Sequence, residues 1–123
     1  MVNGAENKLN QVFRALASEP RRRILRLVGA NRRTIGELSE CFEMSLAAVS
    51  KHVRVLEEAD LLSPTIEGRL HWCRVNPDTL VQARASIDEL HAFWGKQLDG
   101  LAAFLGEDAP SITAPKRPSK RGA

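Results

Sequence analysis

Between positions 45 and 62 the chain reads SLAAVSKHVRVLEEADLL, a stretch that gathers cations, hydroxyls and an imidazole before its first acids, Glu57 and Glu58. At 3.6 residues per turn, Leu46, Val49, Val53 and Leu56 share one apolar face. The opposite face carries Ala47, Ala48, Lys51, Arg54 and Val55, with Ser50 and His52 on its flanks and Ser45 ahead of it. Lysine and arginine at that spacing can meet phosphate oxygens or the O6/N7 edge of guanine. Two small residues at the start of a helix let its backbone approach base edges closely, and their methyls can meet those of thymine. Ser45, Ser50 and His52 add hydrogen-bonding groups suited to the backbone walls of a groove. The face therefore points to duplex DNA as its partner.

Other chemistry is poorly supplied. The sequence holds no Gly-rich phosphate loop, no HExxH and no Ser/His/Asp constellation, so an enzyme is not expected. A helix used only for protein contact would show acids or bulky apolar residues at 47, 48, 51 and 54, and it shows the reverse. Cys41 and Cys73 are too few and too far apart for a disulfide framework. Both are expected as buried thiols. His71 and His91 are expected at surface or edge positions.

Length and composition bound the frame. With 123 residues and 43% hydrophobic content the chain suits one domain with a buried core. The formal net charge is only +3, and the basic surplus sits in the first half and in the C-terminal tail. That distribution fits a local basic surface. No apolar leader or membrane-length run is present, so a cytoplasmic protein with no membrane partner is expected.

The elements that position the basic face follow from periodicity. Leu9, Val12, Phe13 and Leu16 predict a first helix over about 7–17. Pro20 suits the first turn of a second helix, which runs through RRRILRLV, buries Ile24, Leu25 and Val28, and stops near Gly29. The triple arginine 21–23 could touch phosphate, but solvated helix surface is the favoured account. Thr34 and Glu37 form a capping box that opens a third helix, whose buried side is Ile35, Leu38 and Phe42. Only Glu43, Met44 and Ser45 separate it from the basic helix, for which Ser45 is the N-cap. So tight a connection predicts a helix-turn-helix.

Past Leu62, two extended runs, 63–66 and 70–75, flank Glu67-Gly68-Arg69 and predict a two-stranded β-hairpin. A final helix from Asn76-Pro77-Asp78 to about Leu105 carries Leu80, Ile87, Leu90, Trp94, Leu98, Leu101 and Leu105, widened by Phe93 and Phe104. That line is too apolar for one small domain to cover, so a second copy is expected against it. Residues 1–6 and 106–123 are expected to be disordered, the latter a basic Pro/Ser-rich tail, leaving 7–105 as the folded domain. The fold expected is mainly α with a small β-hairpin wing: a winged helix-turn-helix, dimeric through its terminal helices.

The stretches ALASEPRRRIL, TIGELSECFEMSLAAVSKHVRVLEEADLL and EGRLHWCRVNP resemble the ArsR-type family of bacterial winged-helix repressors, in matching order over roughly 9–105. The resemblance implies a homodimer whose first and last helices form the interface, here Leu9, Val12 and Phe13 with Leu90, Trp94, Leu98, Leu101 and Leu105. It implies that two recognition helices read a pseudo-palindromic operator, with Ser50 and His52 matching the family's DNA-contacting Ser-x-His and Arg69 its wing-tip arginine. It also implies repression. Many relatives sense metals through a Cys-x-Cys at the start of the third helix, where this chain reads RRTIGEL, or through Asp and His on the last helix, where only Asp88, Glu89 and His91 remain. No metal or other cofactor is therefore expected. The alternative is a thiol- or metal-responsive member using Cys41 or Cys73.

Overall fold

A computed structural model describes residues 4–106. Its elements are α1 (Gly4–Leu16), α2 (Glu19–Ala30), β1 (Arg33–Thr34), α3 (Ile35–Ser39), α4 (Leu46–Glu58), β2 (Leu62–Glu67), β3 (Leu70–Val75) and α5 (Pro77–Leu105). The protein is mainly helical with a small three-stranded antiparallel sheet in the order β1-β3-β2. α3, a turn, α4 and the β2–β3 hairpin make a winged helix-turn-helix.

The starts of α2, α3 and α4 have local causes. Ser18 caps α2 by accepting from the Arg21 N–H, with Pro20 in the first turn. The Thr34–Glu37 capping box is formed in both directions: Thr34 Oγ1 accepts from the Glu37 N–H, and Glu37 Oε1 accepts from the Thr34 N–H. Ser45 Oγ accepts from the Ala48 N–H at the head of α4. The far end of α4 closes on Asp60, which takes a φ of +61°. There the Leu61 N–H reaches the Leu56 carbonyl and the Asp60 N–H the Glu57 carbonyl, the paired bonds of a Schellman motif. The hairpin turns at Gly68, whose φ of +64° suits a residue without Cβ.

These elements enclose a core of Val12, Ala15, Ile24, Val28, Leu38, Val49, Val53, Leu56, Leu61, Leu62 and Cys73. Several sequence expectations change here. α1 begins at Gly4, so Gly4–Glu6 are helical and not part of a disordered start. α3 ends at Ser39, which lengthens the connection to α4 to residues 40–45. The expected hairpin forms as β2 and β3, and β1 adds a third strand that was not expected: Arg33 and Thr34 pair with Cys73 and Trp72. Val12 is 3% exposed and spent in this chain's own core, so it has no surface to offer a dimer contact. Leu25, Ile35 and Phe42 are only partly buried. The expected disordered tail, apart from Gly106, lies outside the described residues.

The chain divides into two compact units, Met1–Ala83 and Arg84–Ala123. The first contains the core just described, together with the buried Thr79 and Ala83 from the first turns of α5. In the second, the described part of α5 exposes Ile87, Leu90, Phe93, Trp94, Leu101, Phe104 and Leu105. Phe93 and Trp94 meet edge to face with centroids 5.8 Å apart, and Arg84 pairs with Asp88 at 3.7 Å. No helix among the described residues is long and apolar enough to cross a membrane.

Candidate nucleic-acid interface

α4 presents its two faces differently. Val49, Val53 and Leu56 are at most 1% exposed. Ala47, Lys51 and Arg54 stand in solvent on the other side, and Ala48, Ser50 and His52 are half-buried along its edge. Two residues depart from the periodic pattern. Leu46 is 55% exposed, because the first helical position lies beyond the reach of the core. Val55 is half-buried and packs against the core instead of joining the outer face. Ser45 is exposed, with its oxygen engaged as the helix cap. Arg69 is exposed beside Gly68 in the hairpin turn.

His52 is held by a residue that the sequence did not single out for the site. Arg21 Nη1 lies 3.2 Å from His52 Nδ1. A guanidinium can only donate, so Nδ1 accepts and the imidazole proton resides on Nε2. Partial burial lowers the His52 pKa below its ordinary 6.5, and the charges of Arg21 and then Lys51 push it the same way. At neutral pH the ring is an uncharged Nε2–H donor.

Arg21 is itself fixed. Its Nε donates to the Ala15 carbonyl at 2.8 Å and its Nη2 to the Arg14 carbonyl at 3.1 Å. Arg22 donates to the Leu16 carbonyl at 2.8 Å. Together the two guanidiniums bond the Arg14, Ala15 and Leu16 carbonyls in the last turn of α1, where a cation also complements the helix dipole. Arg23 donates to the Cys41 carbonyl at 2.8 Å and lies 4.3 Å over the Phe42 ring. The triple arginine is therefore structural fastening and not merely solvated surface. Its sequence signal was position: basic residues just past the end of one helix, able to reach back to it.

The wing has a comparable brace. Arg32 lies 3.9 Å over the Trp72 ring and pairs with Glu67 at 3.2 Å, tying the segment before β1 to both hairpin strands.

A helix-turn-helix domain model matches residues 16–65, which span α2 to β2. Over 72 residues the chain is 31% identical to the transcriptional repressor SdpR of Bacillus subtilis, covering 58% of this chain and 80% of that protein. The crystal structure of an ArsR family transcriptional regulator superposes with a TM-score of 0.68 at 29% identity, covering 76% of this chain and 96% of that one. This chain belongs to the ArsR family. It is thus a transcriptional regulator with a DNA-binding helix-turn-helix, and such regulators are not enzymes. The homodimeric winged helix-turn-helix domain of a possible ArsR-family regulator from Mycobacterium bovis shares the fold, with a TM-score of 0.59 at 23% identity over 70% of this chain and 91% of that one.

For an ArsR-family chain the thiols are the remaining question. Cys41 is only partly buried, against expectation, since α3 ends before it and its thiol reaches back to the Glu37 carbonyl at 3.6 Å. Cys73 is fully buried. Burial, and then the neighbouring Glu57 carboxylate, push its thiol pKa up to about 12. It stays protonated at neutral pH, which suits no thiolate nucleophile or redox sensor. The sequence alone suggested no metal-ligand set, yet Glu57, His71 and Cys73 come together, their donor atoms within 4.8 Å of one another. The legible signal was His71 and Cys73 two apart on a strand, and so on one face of it. Asp88, Glu89 and His91 are all exposed on α5.

Proposed function

We propose that the protein is a cytoplasmic homodimeric repressor that binds a pseudo-palindromic operator through two copies of α4 and its wing. The observation that carries this reading is the outer face of α4: Ala47, Lys51 and Arg54 exposed, no carboxylate before Glu57, and the neutral His52 donor on its flank. In this reading Ala47 and Ala48 let the helix approach base edges, and Lys51 takes guanine or phosphate. Arg54 takes phosphate, Ser45, Ser50 and His52 meet the backbone walls, and Arg69 reaches the adjacent groove or its phosphates.

The apolar side chains exposed along α5, Leu90, Trp94, Leu101 and Leu105 among them, support a second copy as their cover, joined by the half-buried Leu98 and by Leu9 and Phe13 of α1. Repression is supported by the name of the B. subtilis relative, and homodimerisation by the M. bovis domain. The apolar core and the helix caps hold α4 and the hairpin in place, so operator binding does not require a metal.

The test is binding of purified protein to duplex DNA from upstream of its own gene, against random competitor and at several salt concentrations. The reading expects specific binding in dimer steps that weakens steeply with salt. Uniform weak binding to that duplex and to duplexes drawn from the rest of the genome would overturn it.

A further inference from the structure

We propose that Glu57, His71 and Cys73 form a binding site for a zinc-class divalent ion, clamping the end of the recognition helix α4 to the wing strand β3. The three residues come from two elements that the DNA reading uses separately. Glu57 sits in the last turn of α4, and His71 and Cys73 share the inward face of β3. Their donor atoms lie within 4.8 Å of one another, and His71 Nε2 is 2.6 Å from Glu57 Oε2. Bonds of about 2.0–2.3 Å in a tetrahedral site hold ligand atoms about 3.3–3.8 Å apart. The His71–Glu57 contact therefore opens slightly and the thiol closes in, movements within the reach of side-chain rotation.

The donor set selects the ion. One imidazole nitrogen, one sulfur and one carboxylate oxygen suit Zn(II) and its borderline neighbours. Mg(II) and Ca(II) demand more oxygens than the single carboxylate supplies. Access is one-sided: the Glu57 and His71 side chains are 18% and 32% exposed, while Cys73 is fully buried. The ion enters between the carboxylate and the imidazole, and a water completes the tetrahedron from that side. Coordination forms a metal–sulfur bond, expelling the thiol proton to solvent. It also forms a metal–Nε2 bond, for which the proton that His71 Nε2 shares with Glu57 leaves to solvent while Nδ1 keeps or takes up the ring's remaining proton. An ion pair between Glu57 and His71 alone would give no reason for a sulfur in its third corner.

The site is tested without DNA, so it stands or falls separately from the operator reading. Full-length protein is titrated with Co(II), followed by absorption. The proposal expects one Co(II) per chain, a near-ultraviolet thiolate-to-cobalt charge-transfer band, visible bands of four-coordinate strength, and displacement by Zn(II). Cys73→Ser abolishes the charge-transfer band. His71→Gln and Glu57→Gln each weaken binding at least about tenfold, and Cys41→Ser leaves it unchanged. Thermal melts establish that each variant folds. Should Cys73→Ser fail to fold, the more exposed His71→Gln decides alone. Absence of a charge-transfer band in the wild type, a band that survives Cys73→Ser but disappears in Cys41→Ser, or a folded His71→Gln protein that binds Co(II) as tightly as wild type overturns the site.

Discussion

α4 and the C-terminal part of α5 are both amphipathic, yet they spend their apolar residues in opposite ways. α4 encloses Val49, Val53 and Leu56 within its own unit, almost fully buried, and turns Ala47, Lys51 and Arg54 outward. α5 leaves Leu90, Trp94 and Leu101 more than half exposed, at 58%, 56% and 51%. An exposed apolar row of that size costs solubility unless something covers it, whereas a basic, small-residue face is at home in water and awaits a polyanion. The two helices thus require different partners: α4 one that is charged and grooved, α5 one that is apolar and shaped like itself.

Putting a charge in the α5 row is the harshest way to break that contrast. The double variant Trp94→Glu/Leu101→Glu is expected to be monomeric by sedimentation and to bind the full operator at least about 100-fold more weakly, because two linked half-sites become two independent events. Its helical content stays that of the wild type by circular dichroism, since neither residue belongs to the core. A monomer that still binds the full site tightly would remove α5 from the dimer interface.

The α4 face breaks in a different manner. Lys51→Ala or Arg54→Ala is expected to weaken operator binding about tenfold, with the fold intact because both side chains are exposed. Removing a side chain that neutralises a phosphate also flattens the log–log salt dependence by about 1, whereas removing one that reads a base relaxes sequence preference instead. Wild-type affinity in both variants would refute the recognition-helix assignment.

How much of this contrast the sequence carried depends on the range of the interaction involved. The Thr34–Glu37 box, the Ser45 cap, the hairpin around Gly68 and the inward row of α4 were all legible, because each rests on neighbours a few residues apart. β1 was not, since two residues carry no period and Arg33 and Thr34 become a strand only when β3 arrives beside them. The same holds for Arg21, whose partners Ala15 and His52 sit on other helices, and for the Glu57–His71–Cys73 cluster. Val12 and Leu46 erred in opposite directions: helical periodicity gives the face a residue shares, but not whether the core extends that far along it. For the interface itself, the residue types on α4 were readable, while the tautomer and charge of His52 required Arg21 to be placed.

A milder probe of the α4 face is pH. In the free protein His52 titrates below 6.5. Its folded-state pKa is depressed, so its contribution to stability is complete above the unfolded value and is lost as pH falls through the folded one. DNA phosphates favour the imidazolium and raise the pKa in the complex, so binding takes up a proton. Operator affinity is therefore expected to rise a few-fold as pH falls from about 8 towards 6, and His52→Gln, which keeps a donor but cannot titrate, is expected to flatten that rise. An unchanged pH dependence in His52→Gln would take His52 out of phosphate contact.

The smallest effect concerns how α4 ends, and it separates backbone strain from charge. Asp60 holds a left-handed φ of +61°, a conformation costing a non-glycine residue about 1 kcal/mol or more. Its carboxylate pairs with Lys8 at 3.0 Å, but the two side chains are 56% and 48% exposed, and pairs that open to solvent contribute little. Asp60→Gly relieves the strain, loses that weak pair and adds freedom to the unfolded chain. The three terms nearly cancel, leaving a net gain of about 0.5 kcal/mol, or a melting temperature higher by about 2–4 °C. Asp60→Val loses the same carboxylate and aggravates the strain, so its melting temperature falls. Equal losses in the two variants would mean that the Lys8 pair, and not the backbone geometry, secures the end of α4. Operator affinity serves as the control, since neither substitution alters the outer face of α4.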